Sequence, residues 1–462
     1  MIRLIKPDRL ALLACMAGLA GCSSDFLSVE DPNQPTQAST AQLFVGHQAA
    51  EFAVQEGSLA MAACMFTQQC EGIGGRFVQE MGEYNFTSGT FSGDWSQTYA
   101  FGGLVDLREV ERRTEEAGDR TWLGIARVWE AFSVGTAASI WGDIPYTEIG
   151  QAQPHLDPQL QVYDQIQALL TTAIGDLNSG TGSGPGALDL VYGGDRQKWI
   201  RAANTLKARF YMHTAEVRGA AAYNSAITAA LAGIQSPAGD FTAAHTTSTS
   251  ERNIWFQFQE TSFGNDLVAG SLLVNLLKAR NDPRLPQYFG VDDGGHYTGG
   301  VSPLRGTRIA PDFRQPLVTY IENELILAEA YQKTGNDPLA LQHLNLARAS
   351  VGLPALAGLT GTALFQAIVA EKYIAMFQNI EAWNDYKRTC FAGLNLVPLS
   401  ESGSVTPGQV PGRVFYGQTE ENANPNIPST SSQLSNGGVA DGQPSLHGFR
   451  NANDPTPCTA PS

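Results

Sequence analysis

Beyond about residue 40, apolar residues recur at three- and four-residue spacing, the period of a helix with one buried face. The pattern predicts helices over 41–63, 94–117, 121–140, 160–178, 197–217, 221–234, 268–279, 317–334, 338–351 and 362–388. Between them run Gly-, Ser-, Asn- and Pro-rich connections at 71–93, 179–196, 236–266, 282–316 and 391–462. Loops longer than about 15 residues are uncommon in compact domains unless they carry function or form interfaces. One helix pair has a repeat signature, in ELILAEAYQKTGNDPLALQHLNLARASVG. Leu327, Ala328 and Tyr331 on its first helix, with Ala340, Leu344 and Ala347 on its second, match the spacing of a tetratricopeptide unit. The expected fold is predominantly all-α: tetratricopeptide-like helical repeats, about four units in all, with long loop-rich insertions and little β-structure.

The chain begins differently. Arg3, Lys6 and Arg9 precede an apolar run that ends in Leu19-Ala20-Gly21-Cys22. A basic start, an apolar middle and small residues before a cleavage point make a secretory signal. The run is shorter than the ~20 residues a membrane-spanning helix needs. Leu-Ala-Gly-Cys resembles the bacterial lipobox, in which the thiol is acylated and the cysteine becomes the mature N-terminus. Cys22 is therefore the expected lipidation site. Residues 1–21 read as a lipoprotein signal peptide and 22–40 as a lipidated tether. The body is 41–462, with an N-terminal part to about 235 and a C-terminal part from about 236.

With 43% hydrophobic residues, the chain has the means to build a sizeable core. Its formal charge of −16 argues against nucleic acid as a partner, because phosphates demand Lys and Arg. Once Cys15 leaves with the signal and Cys22 is lipidated, Cys64, Cys70, Cys390 and Cys458 remain. Four cysteines in an oxidising compartment imply disulfides and allow three connectivities. Cys64–Cys70, closing CMFTQQC, and Cys390–Cys458, pinning the tail to a helix end, are favoured. Zinc is the alternative, but C-x5-C lacks the usual spacing and no histidine pair lies nearby.

No catalytic signature is present: neither G-x-S-x-G, G-x4-G-K-[ST], a G-x-G-x-x-G after a strand, nor H-E-x-x-H. The seven histidines stand at no ligand spacing. The reading is a protein without catalytic residues, metal or cofactor. A surface glycan-degrading enzyme and a purely structural assembly factor are the competing classes.

Several segments together resemble a known family. They are SDFLSVEDPN after the lipobox, AFSVGTAASIWGDIPYTEI (131–149), DLVYGGDRQKWIRAANTLKARFYMHTA (189–215), NDPRLPQYF (281–289), EKYIAMFQNIEAWNDYKRT (371–389) and GRVFYGQTEENANPN (412–426). Their order and spacing resemble the SusD/RagB outer-membrane nutrient-binding lipoproteins. Gly417 and Cys390 depart from the family's common proline and glycine, and 428–462 has no clear family pattern. Most motif residues read as scaffold: Trp141, Trp199 and Trp383 as core, Asp195 as a helix cap, Asp385 and Arg388 as a pair. The resemblance implies a cell-surface protein, lipid-anchored in the outer membrane. It would bind a nutrient, an oligo- or polysaccharide, and deliver it to a SusC-like TonB-dependent transporter. A peptide ligand is the nearer alternative.

Ligand contacts are expected in the loops, where aromatic faces and a few polar groups suit sugars. The segment 74–95 supplies Arg76 and Tyr84, ERNIWFQFQETSFGND supplies Trp255, and DDGGHYTGG supplies His296 and Tyr297. Arg76, Tyr84, Trp255, His296 and Tyr297 are the candidate ligand-binding residues. Trp255 and Phe258 would otherwise alternate into the core from a short strand.

Overall fold

The computed structural model describes residues 38–398, 403–436 and 449–458. The expected signal segment, the expected lipidation site Cys22 and most of the expected tether lie outside the described residues. Within them the chain is mostly helical, with two small two-stranded sheets.

Helix α1 (Thr40–Glu56) opens with a capping box. The Ser39 hydroxyl accepts from the Gln42 N–H, and the Gln42 side chain accepts from the Ser39 N–H. The helix predicted over 41–63 divides at Gly57, where the Ala53 carbonyl leaves no room for a Cβ; α2 (Ser58–Phe66) follows. The prediction over 94–117 divides too, into α3 (Ser92–Tyr99) and α4 (Leu104–Glu116). The break is at Gly102, whose φ of +91° suits glycine alone and brings its carbonyl within 3.0 Å of His47 Nδ1 on α1.

Then come α5 (Arg120–Trp141), α6 (Gln159–Ser179), α7 (Arg196–His213), α8 (Ala220–Ala230) and α9 (Ser271–Ala279). The series closes with α10 (Tyr320–Lys333), α11 (Asp337–Ser350), α12 (Gly361–Ala375) and α13 (Glu381–Thr389). The single helix expected over 362–388 is broken by a turn containing Gln378 at φ +64°.

From α4 to α8 each helix packs on the next, then α8 on α10, and α10 on α11 and α12. Close approach needs small residues. Gly135 on α5 lies against the Phe210 ring of α7, and Ala328, Ala340 and Ala347 are buried where α10 meets α11. Trp141, Trp199 and Trp383 are buried, each donating its indole N–H to the Phe415 carbonyl, Asp189 and the Pro411 carbonyl respectively. The Asp195 carboxylate caps α7, accepting from the Gln197 and Lys198 N–H groups.

The interior also carries charge. Glu329 is fully buried and pairs with Arg388 and with Lys372 at 2.8 Å. Lys372 and Arg388 both reach Asp385, at 2.6 and 2.7 Å. These pairs tie α10, α12 and α13 together. The tail docks on the same region through Asn451 to the Ser139 carbonyl, Asn453 to the His213 carbonyl, and a Cys390–Cys458 disulfide.

Strands β1 (Cys70–Gly72) and β3 (Leu267–Ala269) pair antiparallel, with Glu71 opposite Val268. Strands β2 (Phe241–Ala243) and β4 (Gln315–Val318) pair likewise, with Phe241 opposite Val318 and a bulge at Thr242. These short ladders fasten the long loops to the helices.

Candidate functional site

The site is built on the β1–β3 ladder. A disulfide from Cys70 to Cys64, with Cα atoms 5.2 Å apart, ties β1 to α2. A third segment joins the far edge of β3. The Ala269 N–H donates to the Ser302 carbonyl, the Gly300 N–H to the Ala269 carbonyl, and Val268 bridges Pro303. Three loops, 71–76, 263–268 and 291–303, therefore meet around one open cleft of about 550 Å³. Leu267 and Val268 form a buried floor. Ile73, Val291 and Val301 form the rim and stay 53%, 48% and 55% exposed. Phe263, beside the lining residues Gly264 and Asn265, is 61% exposed. Apolar residues held open together around a concavity mark a binding surface, whereas single exposed ones carry no such meaning.

The 291–303 loop is organised by Asp292. Its carboxylate accepts from the Gly294 and His296 N–H groups, both at 2.9 Å, and from the Thr298 hydroxyl at 2.7 Å. The Thr298 hydroxyl and the His296 N–H hold this carboxyl below the usual range. Asp292 is thereby committed to the loop, while Asp293 next to it is exposed and free to meet a ligand.

The expected residues divide by environment. Arg76 is exposed, its guanidinium 5.3 Å from the Phe77 ring. His296 is exposed, with Nδ1 3.9 Å from Asp292. Tyr297 is half-buried, and its carbonyl accepts from Lys278 at 3.1 Å. The loop carrying Arg76 and the loop carrying His296 and Tyr297 border the cleft, but the three side chains themselves lie outside its lining.

Tyr84 and Trp255 instead lie in the core, and neither offers a ring to a ligand. Tyr84 packs edge-on to Phe66 at 5.6 Å in a cluster with Phe86 and Trp383. Trp255 stands on a short helix, Ile254–Gln259, capped by Asn253, and not on a strand. At i and i+3, Trp255 and Phe258 share a helical face and turn inward together. Phe258 meets Phe77 edge-on at 5.3 Å, linking the segments next to the first two loops.

Sequence reasoning missed Phe263, Ile73, Val291 and Val301. The available signal was a ring directly before Gly264-Asn265-Asp266, a turn-forming polar run. Among the described residues, no group of three His, Cys, Asp or Glu side chains is placed to hold a metal, and no helix is long and apolar enough to cross a membrane.

Comparison with known proteins agrees with this architecture. A family model for SusD-like proteins, described as starch-binding and associating with the outer membrane, matches residues 32–347. A search of curated proteins finds no match. Among solved structures, a chitin-binding SusD homologue from Flavobacterium johnsoniae superposes with a TM-score of 0.74 at 19% identity, covering 89% of this chain and 98% of its own. A SusD homologue from Bacteroides uniformis gives 0.73 at 18% identity, over 90% and 99%. A SusD-like protein from Bacteroides thetaiotaomicron gives 0.72 at 20% identity, over 90% and 100%. The chain belongs to the SusD-like family.

Proposed function

We propose that this protein binds an oligo- or polysaccharide in the 71–76/263–268/291–303 cleft and performs no bond chemistry on it. The observation that carries the reading is the convergence of three loops on one apolar, open cleft, in a chain of a family described as starch-binding. A pyranose ring presents a C–H face to apolar groups and hydroxyls at its edge. Phe263 and the rim residues supply the first kind of contact, and Asn265 and Asp293 the second. The chitin-binding homologue among the structural neighbours points to the same ligand class.

In the same reading, Cys22 carries the lipid that holds the protein on the outer face of the outer membrane. A SusC-like TonB-dependent transporter receives the sugar. Tethering both partners to one membrane raises their effective concentration. The test is calorimetric titration of the detergent-solubilised full chain with maltoheptaose, chitohexaose and laminarihexaose, with chromatography of the sugars afterwards. Saturable binding of one of them, with no shorter product, is expected. Cleavage, or silence across the panel, would overturn the proposal.

A further inference from the structure

A second cavity, of about 220 Å³, lies where the short helix Leu285–Tyr288, the approach to β4 and the α12–α13 turn meet. Its lining includes Arg284, Arg308, Asp240, Tyr288, Phe313 and Phe377. Arg308 lies against three rings, its guanidinium carbon 5.0 Å from the centre of Tyr288, 5.3 Å from Phe313 and 5.9 Å from Phe377. Rings satisfy the charge of a guanidinium but not its N–H edge. The Tyr288 hydroxyl takes one hydrogen bond from Arg308, but Nε is buried with no acceptor, and among the described residues no carboxylate stands within ion-pair distance of the group.

Arg284 presents the same deficit. Its Nε and Nη2 bond both oxygens of Asp282 at 2.8 and 2.6 Å, and Nη2 also reaches Glu371 at 2.6 Å. Nη1 has no acceptor, although the residue is only 2% exposed. Glu371 is shared further with Arg280 and with Arg348 at 3.1 Å. Three guanidinium groups thus divide two carboxylates, and Arg308 adds a cation with none. Asp240, the acid in the cavity lining, accepts from the Tyr320 N–H at 2.7 Å. Burial pushes its carboxyl up to about 7, so it offsets this excess only in part. In a chain of net charge −16, a cavity lined by unmatched cations is the reverse of the surrounding field.

Like charges facing one cavity are relieved by an anion between them, and a planar guanidinium edge matches a planar carboxylate in two parallel bonds. The volume is below the ~300–1,000 Å³ of drug-sized sites, so it accommodates a single ring and not an oligomer. We propose that this cavity is a carboxylate subsite, in which the Arg308 guanidinium holds the carboxyl group of one uronic-acid residue, the buried Arg284 beside it adds positive potential, and the aromatic walls enclose the sugar ring. This rests on the glycan-binding reading and names the sugar class: acidic glycans, not neutral ones alone.

The test compares tetragalacturonate with its carboxyl-reduced neutral counterpart on the detergent-solubilised full chain. Calorimetry is run on wild type, Arg308→Gln and Arg308→Lys, with thermal melting of each variant as a folding control. Free galacturonate and galactose, assayed by melting shift on wild type alone, keep the test valid should Arg308→Gln fail to fold. The expected result is tighter binding of the acidic sugar, a loss of about tenfold or more in Arg308→Gln, an intermediate loss in Arg308→Lys, and a melting shift with galacturonate but not galactose. Equal affinity for acidic and neutral tetramers, or uronate binding unchanged in Arg308→Gln, overturns the subsite and leaves the glycan reading standing. Silence toward both tetramers and toward the neutral panel above overturns both.

Discussion

In the α5–α7 stack, Gly135 lies so close to the Phe210 ring that one added methyl group has nowhere to go. On the loop face, Ile73, Val291, Val301 and Phe263 remain about half exposed, with open space before them. The first region, with the helices packed around it, is closed by folding: its apolar groups are covered, the indole N–H groups of Trp141, Trp199 and Trp383 have acceptors, and Glu329 is matched by Arg388 and Lys372. The second is fixed in backbone by the three-residue β1–β3 ladder, a disulfide and Asp292, yet its apolar rim side chains are left uncovered. The contrast separates groups that hold the fold from groups that await something else.

The sharpest way to break this division is to attack a matched ion. Glu329→Gln leaves Lys372 and Arg388 short of a counter-charge in the interior, and a loss of about 3–5 kcal/mol is expected in chemical denaturation. Burial opposes ionisation of Glu329, but Arg388 and Lys372 prevail and hold its carboxyl down at about 2 against an ordinary 4.5. A depressed folded value means the stabilisation is complete above pH 4.5 and drains away as the pH falls toward 2. The difference between wild type and Glu329→Gln is therefore expected to shrink over that window. A gap that widens on acidification would contradict the pairing.

Next in size is Trp255→Ala, at about 3–4 kcal/mol, because the ring fills the core. Sugar affinity in the protein that remains folded is expected to be unchanged, and a selective affinity loss would return Trp255 to the ligand. Gly135→Ala tests the helix contact more gently. Alanine favours a helix, yet the clash with Phe210 is expected to cost about 1–3 kcal/mol by thermal melting; a stabilised variant would mean the stack has slack. Phe263→Ala completes the series, with stability within about 0.5 kcal/mol of wild type and a weaker sugar titration.

The same contrast explains what was legible in the sequence. Helical periodicity carried the array, because residues at i, i+3 and i+4 report their own burial, and the motif residues Trp141, Trp199 and Asp195 stand where their neighbours require. Helix breaks at Gly57, Gly102 and Gln378 were not legible, since each depends on a contact or a turn that periodicity does not encode. In the loops, the three segments were identifiable from composition and length. Which ring faces water was not: Trp255 and Phe263 lie eight residues apart in one aromatic-rich stretch, and only the short helix between them turns one inward and leaves the other out. Arg308, without any motif around it, acquires its significance from the rings and arginines that the fold gathers about it.

The most direct measurement is hydrogen–deuterium exchange of the full chain, with and without saturating amounts of the tightest-binding oligosaccharide. Slowed exchange is expected at 71–76, 263–268 and 291–303, with the α4–α8 array unchanged. Protection confined to that array, with the three loops exchanging as before, would contradict the cleft as the binding site.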